Sequence, residues 1–156
     1  ILIMKLDDID FTILKNLQME GRLSNAELAE RINLSPSACL RRVRLLEESG
    51  IIEGYTMLVN QAAIGKLSNI FVEVSLTSQS EKNLGDFEAA VSECPEIMEC
   101  YLMAGSFDYL LRVAASDASD YERIHTLYLS RLPNVLRIQS NFALRTVCKK
   151  SVFPLS

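Results

Sequence analysis

The sequence contains little of what catalytic and metal-binding sites are built from. It has one histidine, His125, and four cysteines, none of which stands in a C-x-x-C pair. It has no glycine-rich phosphate loop and no pattern that joins serine, histidine and aspartate. These absences argue against an enzyme, so the sequence predicts no metal, no disulfide framework and no cofactor. We expect buried free thiols at Cys39, Cys94, Cys100 and Cys148.

Long apolar runs are missing as well. Residues 1–4 are apolar, but Lys5 and Asp7 follow at once, and the run is far too short for a signal sequence or a membrane span. Hydrophobic residues make up 49% of the chain and are interleaved with polar ones, as is typical of a folded globular protein. The sequence therefore predicts a cytoplasmic protein without a membrane partner.

Positive charge is in deficit. The formal net charge of −4 argues against a protein that coats nucleic acid through bulk positive charge. The densest basic cluster is Arg41, Arg42 and Arg44, and a local positive face there is compatible with the overall sign.

The length of 156 residues accommodates two small domains. Residues 1–59 are rich in helical signals, residues 60–68 carry Asn60, Gly65 and Ser68, and residues 69–156 alternate between strand and helix patterns. We therefore expect a first domain over 1–59, a linker over 60–68 and a second domain over 69–156.

Three helices are predicted in the first domain. Asp7 is the expected N-cap of the first helix, and Ser24 forms a capping box with Glu27 at the start of the second. Ser35 and Pro36 start a third helix, which ends near Gly50. Two short capped helices behind a first one predict a helix-turn-helix, which binds DNA through its last helix.

The third helix has one apolar face, formed by Cys39, Val43 and Leu46. Its other side would enter the major groove, where arginine binds guanine or phosphate, serine binds phosphate and leucine meets a thymine methyl. In the alternative interpretation the arginines form only a solvated face paired with glutamates. The predicted DNA contacts are Ser35, Ser37, Leu40, Arg41, Arg42 and Arg44.

The second domain follows a strand predicted over 51–59. Its apolar periodicity predicts strands over 70–76, 97–104, 109–115 and 135–148, with a helix after the first strand and another, ended by Pro133, after the third. The order βαββαβ most simply gives an antiparallel sheet with both helices on one face, a split βαβ or ferredoxin-like arrangement. The fold class is therefore α+β. The other face of the sheet would expose four apolar side chains, those of Tyr101, Met103, Phe142 and Leu144. We therefore expect at least one further copy of the chain to cover it.

Six sequence motifs stand in this order of elements: L-D-x-x-D-x-x-I-L at 6–14, G-R-L-S-N-x-E-L at 21–28, L-S-P-S-x-C-L-x-R-V-x-x-L-E at 34–47, G-I-I-x-G-Y at 50–55, G-x-F-D-Y-L-L at 105–111 and L-P-x-V at 132–135. With these motifs, the chain resembles the Lrp/AsnC family of leucine-responsive, or feast/famine, transcriptional regulators. The resemblance covers nearly the whole chain and implies a winged helix-turn-helix.

The resemblance implies homodimers that often assemble further, into octamers (tetramers of dimers) or larger rings, and a free amino acid as effector, bound between dimers. Asp108 could accept hydrogen bonds from the ammonium group of the amino acid, and backbone N–H groups of the turn at Gly105 could donate to its carboxylate. Alternatively, both residues only shape the hairpin. An apolar effector such as leucine or methionine is expected from the apolar neighbours. The family's effector site corresponds to Leu102, Met103, Ala104, Gly105, Phe107, Asp108, Tyr109, Ala118, Asn141, Phe142 and Ala143.

The predicted function is therefore sequence-specific binding of double-stranded DNA, controlled by an amino acid. Two other functions compete with it. Catalysis is disfavoured because His125 has no partner groups in the sequence. A stand-alone sensor whose N-terminal helices bind a protein is favoured slightly by the acidic charge, and the salt dependence of binding separates it from a DNA-binding protein.

Overall fold

A computed structural model describes residues 5–155, so the apolar start at residues 1–4 lies outside the described residues. The chain divides into two compact units, one formed by residues 5–58 together with 148–155 and the other by residues 59–147. The sequence-based division placed residues 148–155 with the second domain, whereas the fold groups them with the first.

The first unit contains the three predicted helices, and their caps are confirmed. Asp7 accepts a hydrogen bond from the Asp10 amide, Ser24 accepts one from Glu27, and Ser35 accepts one from Ala38. Side-chain oxygens satisfy the unpaired amides of a first helical turn, which is why these sequences start helices where they do. The bounds are α1 (Asp8–Met19), α2 (Asn25–Arg31) and α3 (Pro36–Glu48).

A small apolar core holds these helices together. Its centre is fully buried and combines residues of all three helices: Ile13, Leu28, Ala29, Cys39 and Leu46. Leu23 packs against this core, and so does Val43, as expected from the apolar face predicted for the third helix. The backbone of Gly50 has φ +76°, the left-handed conformation that favours glycine at a helix end.

The predicted strand over 51–59 is not formed. Residues 53–60 form no helix or strand, and Met57 and Leu58 are about four-fifths exposed. A strand needs a neighbour to hydrogen-bond, and alternation of apolar residues cannot supply one. Residues 148–155 likewise form no helix or strand, and the side chain of Gln18 on α1 exchanges two hydrogen bonds with the backbone of Phe153, at 2.7 and 3.1 Å.

The second unit has the predicted order βαββαβ. Its four strands form one antiparallel sheet in the order β2-β3-β1-β4. The second helix of this unit is followed by a short 3₁₀ turn, Leu129–Arg131, and Pro133 comes after that turn. The bounds are β1 (Ser68–Leu76), α4 (Glu81–Ser92), β2 (Ile97–Leu102), β3 (Tyr109–Ala115), α5 (Ala118–Leu127) and β4 (Val135–Phe142).

Both helices cover the same face of the sheet, as predicted. The core joins alternate residues of β1 and β3, among them Val72 and Leu111, to Phe87 of α4 and Ile124 of α5. The opposite face has no cover within the described chain, and Tyr101 on this face is 52% exposed.

Two details of the final strand differ from prediction. It ends at Phe142 rather than at residue 148, because β1 begins at Ser68 and has little backbone left to pair: the Ala143 amide still donates to the Asn69 carbonyl at 2.9 Å. Phe142 lies opposite Ile70 and therefore on the helix-covered side, where its ring meets that of Tyr121 at 5.2 Å. Phe142 thus does not belong to the uncovered face, and Leu144 lies fully exposed beyond the sheet.

Candidate DNA-binding face and effector site

The candidate DNA-binding helix is fixed at its start by two side chains. Ser35 caps it, and the Asn25 amide at the start of α2 donates to the Pro36 carbonyl at 2.8 Å. The second contact sets the turn between α2 and α3, which positions the last helix of a helix-turn-helix. Sequence reasoning missed Asn25, although its place directly after the Ser24 cap was a usable signal.

One side of α3 gathers most of the predicted DNA contacts. Ser37, Leu40, Arg41 and Arg44 line a shallow open groove of about 310 Å³, together with Leu45 and Glu48. The Ser35 and Ser37 hydroxyl groups lie 3.3 Å apart at the N-terminal end of the same helix. This side combines two cations, hydroxyl groups near a helix N-terminus and an apolar side chain, which together suit a nucleic acid groove.

The two arginines of this groove are not paired with acidic side chains within the described residues, although Glu48 lines the same groove. Among residues 5–155, neither Arg41 nor Arg44 forms an ion pair, and both are exposed. Glu47, a candidate partner, instead accepts a hydrogen bond from the Tyr55 hydroxyl at 2.9 Å. Partial burial and this contact raise the pKa of Tyr55 to about 12. The alternative of a solvated face of paired arginines and glutamates therefore finds no support in the contacts.

Arg42 is placed differently from its neighbours. Its Nη1 atom lies 2.9 Å from both carboxylate oxygens of Asp7 and 2.9 Å from one oxygen of Asp10. The prediction that Arg42 contacts DNA does not fit this geometry, because the turn of the α-helix carries it round to the side that packs on α1. Its partners lie 32 and 35 residues earlier in the sequence, too far for helical spacing to reveal them.

The predicted effector residues of the hairpin lie together at one end of the sheet. Residues 102–106 are exposed, and the turn joins β2 to β3 where Leu102 pairs with Tyr109. Asp108 beneath them is only 8% exposed. Its carboxylate accepts hydrogen bonds from the Leu76 amide at 2.7 Å and from the Gln79 side chain at 2.6 Å. Asp108 therefore anchors the loop after β1, and sequence reasoning missed Gln79, for which no local pattern gave a signal.

The remaining effector candidates lie at the opposite end of the sheet. Phe142 is opposite Ile70 of β1, whereas Tyr109 is opposite Val74. Four residues of strand separate these positions, a distance of roughly 13 Å. Asn141 donates to the carboxylate of Glu73 and to the Phe71 carbonyl. Ala118, Asn141, Phe142 and Ala143 are therefore not brought together with the hairpin within one chain.

The residues considered for other chemistry lie apart from both sites. No group of three or more potential ligands is arranged for a metal within residues 5–155. All four cysteines are free; Cys39 and Cys94 are buried and Cys100 is partly so, but Cys148 is exposed, contrary to expectation. His125 packs edge-on against Tyr121 at 6.2 Å. No helix in the described range is long and apolar enough to cross a membrane.

Comparison with protein families agrees with this two-part arrangement. Residues 6–53 match a winged helix-turn-helix DNA-binding model, and residues 69–153 match the Lrp/AsnC ligand-binding domain. A DNA-binding unit joined to a ligand-binding unit defines the class of ligand-responsive transcriptional regulators. The chain belongs to the Lrp/AsnC family, whose members are transcriptional regulators and not enzymes.

Individual relatives support this membership. The chain is 45% identical over 130 residues to the leucine-responsive regulatory protein of Salmonella typhimurium, covering 83% of this chain and 79% of that one. A transcriptional regulator of Neisseria meningitidis, solved as an L-methionine complex, is 35% identical with a TM-score of 0.89, over 96% of this chain and 97% of that one. An AsnC family regulator from Agrobacterium tumefaciens is 32% identical with a TM-score of 0.90 over the same shares.

Proposed function

We propose that this chain regulates transcription by binding duplex DNA through α3 and that a free apolar amino acid, methionine or leucine, controls the binding. The observation that carries the DNA contact is a pair of exposed arginines, Arg41 and Arg44, which have no ion-pair partner within residues 5–155 and lie on the capped last helix of the helix-turn-helix. Cations without internal partners bind phosphate or guanine without first breaking an ion pair.

Each residue of this face has a chemical role in the proposal. Arg41 and Arg44 bind guanine edges or phosphates, and Leu40 contacts a thymine methyl. Ser35 and Ser37 lie at the start of α3, where amide groups and the helix dipole favour a phosphate. Arg42 is left out of the contact set because its guanidinium faces Asp7 and Asp10.

The effector site is proposed at the hairpin. Leu102, Met103 and Phe107 give it an apolar lining, which suits an apolar side chain, and backbone amides near Gly105 suit a carboxylate. The related regulator from N. meningitidis was solved with L-methionine, which supports the same ligand class. Asp108 holds the site's shape through Leu76 and Gln79 and is not proposed as the ammonium ligand.

A second copy is needed to complete this site. The hairpin lies open to solvent in one chain, and Ala118 and residues 141–143 lie at the far end of the same sheet. We propose that another copy brings its 141–143 end to the hairpin, in a homodimer that assembles further to an octamer. The effector then changes DNA binding through the arrangement of the copies, since it must bind one arrangement better than the other.

A thermal-shift panel of the twenty amino acids at millimolar concentration tests the sensor. A ligand that binds only the native state raises the melting temperature, and we expect methionine or leucine to do so selectively. Met103→Gln should reduce this shift, whereas the control Met57→Gln, on the exposed segment after α3, should not. No shift with any amino acid, or a shift with charged ones only, would contradict the proposed effector class.

A further inference from the structure

A cluster of three charged side chains joins α3 to the first turn of α1. Arg42 Nη1 lies 2.9 Å from oxygens of both Asp7 and Asp10. The Asp10 side chain is only 4% exposed and that of Arg42 22%, so this pair is largely shielded from water, whereas the Asp7 side chain is 53% exposed. Shielded, multiply bonded charge pairs have defined geometry, unlike most surface ion pairs.

Both carboxylates are themselves fixed to the backbone of α1. Asp7 Oδ1 accepts from the Asp10 amide at 2.9 Å, and Asp10 Oδ2 accepts from the Asp7 amide at 3.1 Å. The hydrogen bond from the Asp10 amide, followed by that from Arg42, holds the pKa of Asp7 below its ordinary value. Arg42 therefore binds two acceptors that cannot move without breaking the capping hydrogen bonds at the start of α1.

Arg42 also lies near the side of α3 that packs on the core, where a rotation of the helix would break its contacts with α1. An α-helix turns about 100° per residue, which puts Arg42 within about 60° of the buried Cys39 and Leu46. The same periodicity carries Arg41 and Arg44 to the open groove on the other side. Core side chains alone resist separation of helices better than they resist small rotations and slides, because apolar contact is not directional.

We propose that Arg42 is a positioning residue for DNA recognition: its bonds to Asp7 and Asp10 fix the rotation and height of α3 on α1, so that Arg41 and Arg44 meet the bases in one register. Arg42 itself contacts no DNA. This inference rests on the proposed DNA face of α3, but it makes a separate prediction. Removal of the cluster should damage sequence preference while sparing general attraction to phosphate.

The test compares two duplexes by fluorescence anisotropy over a range of salt concentrations. One duplex is selected by the wild-type protein from a randomised library, and the other has random sequence. The main variant is Arg42→Met/Asp10→Asn, which removes the cluster without leaving a buried charge unpaired. Arg42→Lys keeps the charge but not the three-way contact. Arg44→Ala is the matched control for a residue that touches DNA directly.

For Arg42→Met/Asp10→Asn we expect preference for the selected duplex to fall about tenfold or more, since each misplaced base contact costs a factor of that order. Affinity for random duplex and its salt slope should stay unchanged. Arg42→Lys should show a partial decrease in preference at an unchanged slope. Arg44→Ala should weaken binding to both duplexes and lower the slope by about 0.9 for each phosphate that the variant no longer neutralises.

Three results would overturn the inference. A slope lowered in the Arg42 variants as in Arg44→Ala would make Arg42 a phosphate ligand. Equal weakening on both duplexes, with a smaller folded fraction by circular dichroism, would leave Arg42 a role in folding alone. No effect of Arg44→Ala on either duplex would remove the DNA face itself, and the inference with it.

Discussion

The contact between Asp108 and the loop after β1 allows a sharp prediction about the effector end of the sheet. Pairing between β1 and β3 ends where Val74 lies opposite Tyr109, and beyond it the Leu76 amide donates to the Asp108 carboxylate at 2.7 Å. Asp108→Ala leaves this buried amide without an acceptor, at a cost of about 2–3 kcal/mol. The bond from exposed Gln79 adds little, because water replaces it.

Asp108→Asn should behave differently. Its side-chain oxygen still accepts from the Leu76 amide, and Gln79 can rotate its amide group to present an oxygen to the new NH₂. We expect a cost of about 1 kcal/mol or less, since only the charge assistance is removed. Asp86→Ala is the control, because Asp86 is an exposed aspartate paired with Lys82 on the same helix.

The assay is thermal and urea unfolding followed by circular dichroism, with hydrogen exchange at the Leu76 amide. The alanine variant should melt on the order of 10 °C lower than wild type, exchange the Leu76 amide hydrogen faster and lose the methionine-induced thermal shift. The asparagine variant should retain most of the wild-type melting temperature, of the protection of the Leu76 amide and of the methionine-induced shift. If asparagine and alanine prove equally destabilising, or Leu76 exchange is unchanged in the alanine variant, the anchoring role of Asp108 is refuted.

Three further outcomes are expected. Ser35→Ala should lower the free energy of unfolding by about 1 kcal/mol because the N-cap is removed, whereas Ser37→Ala should weaken DNA binding at unchanged stability; equal melting curves for both variants would contradict this. Phe87→Ala should cost about 3–5 kcal/mol in urea unfolding, because the ring is fully buried; a cost of about 1 kcal/mol or less would place it outside the core. Maleimide at neutral pH should label Cys148 first, because it is exposed while burial raises the pKa of Cys100 to about 11; mass spectrometry finding Cys100 first would reverse this order.

Local chemistry explains why the helix starts could be predicted. Ser24 and Glu27, three residues apart, satisfy each other's amides without help from the rest of the chain. The alternation of Ile70, Val72 and Val74 likewise indicates a strand with one buried face, and all three residues lie in the core beneath the helices.

What could not be predicted depends on partners distant in sequence. Arg42 lies in the same short stretch of α3 as Arg41 and Arg44, and no nearby residue distinguishes it from them. Only folding brings Asp7 and Asp10 beside it. Asp108 likewise acquires its partner only when the loop with Gln79 closes on it. The two wrong strand predictions have the same origin. Residues 51–59 and those after Phe142 have strand-like composition, but hydrogen-bonding neighbours decide where a strand forms.

The geometry of the effector residues also limits how an amino acid could act on DNA binding. The hairpin and the 141–143 end are roughly 13 Å apart along β1, farther than a single amino acid spans between its own polar groups. If both ends contact the ligand, they come from different copies, and binding is then linked to assembly. The same free energy of coupling that lets the effector favour one assembly makes that assembly bind the effector more tightly. Under this proposal α3 needs no contact with the ligand. The ligand changes the assembly, and the assembly changes the distance between the α3 helices of two copies.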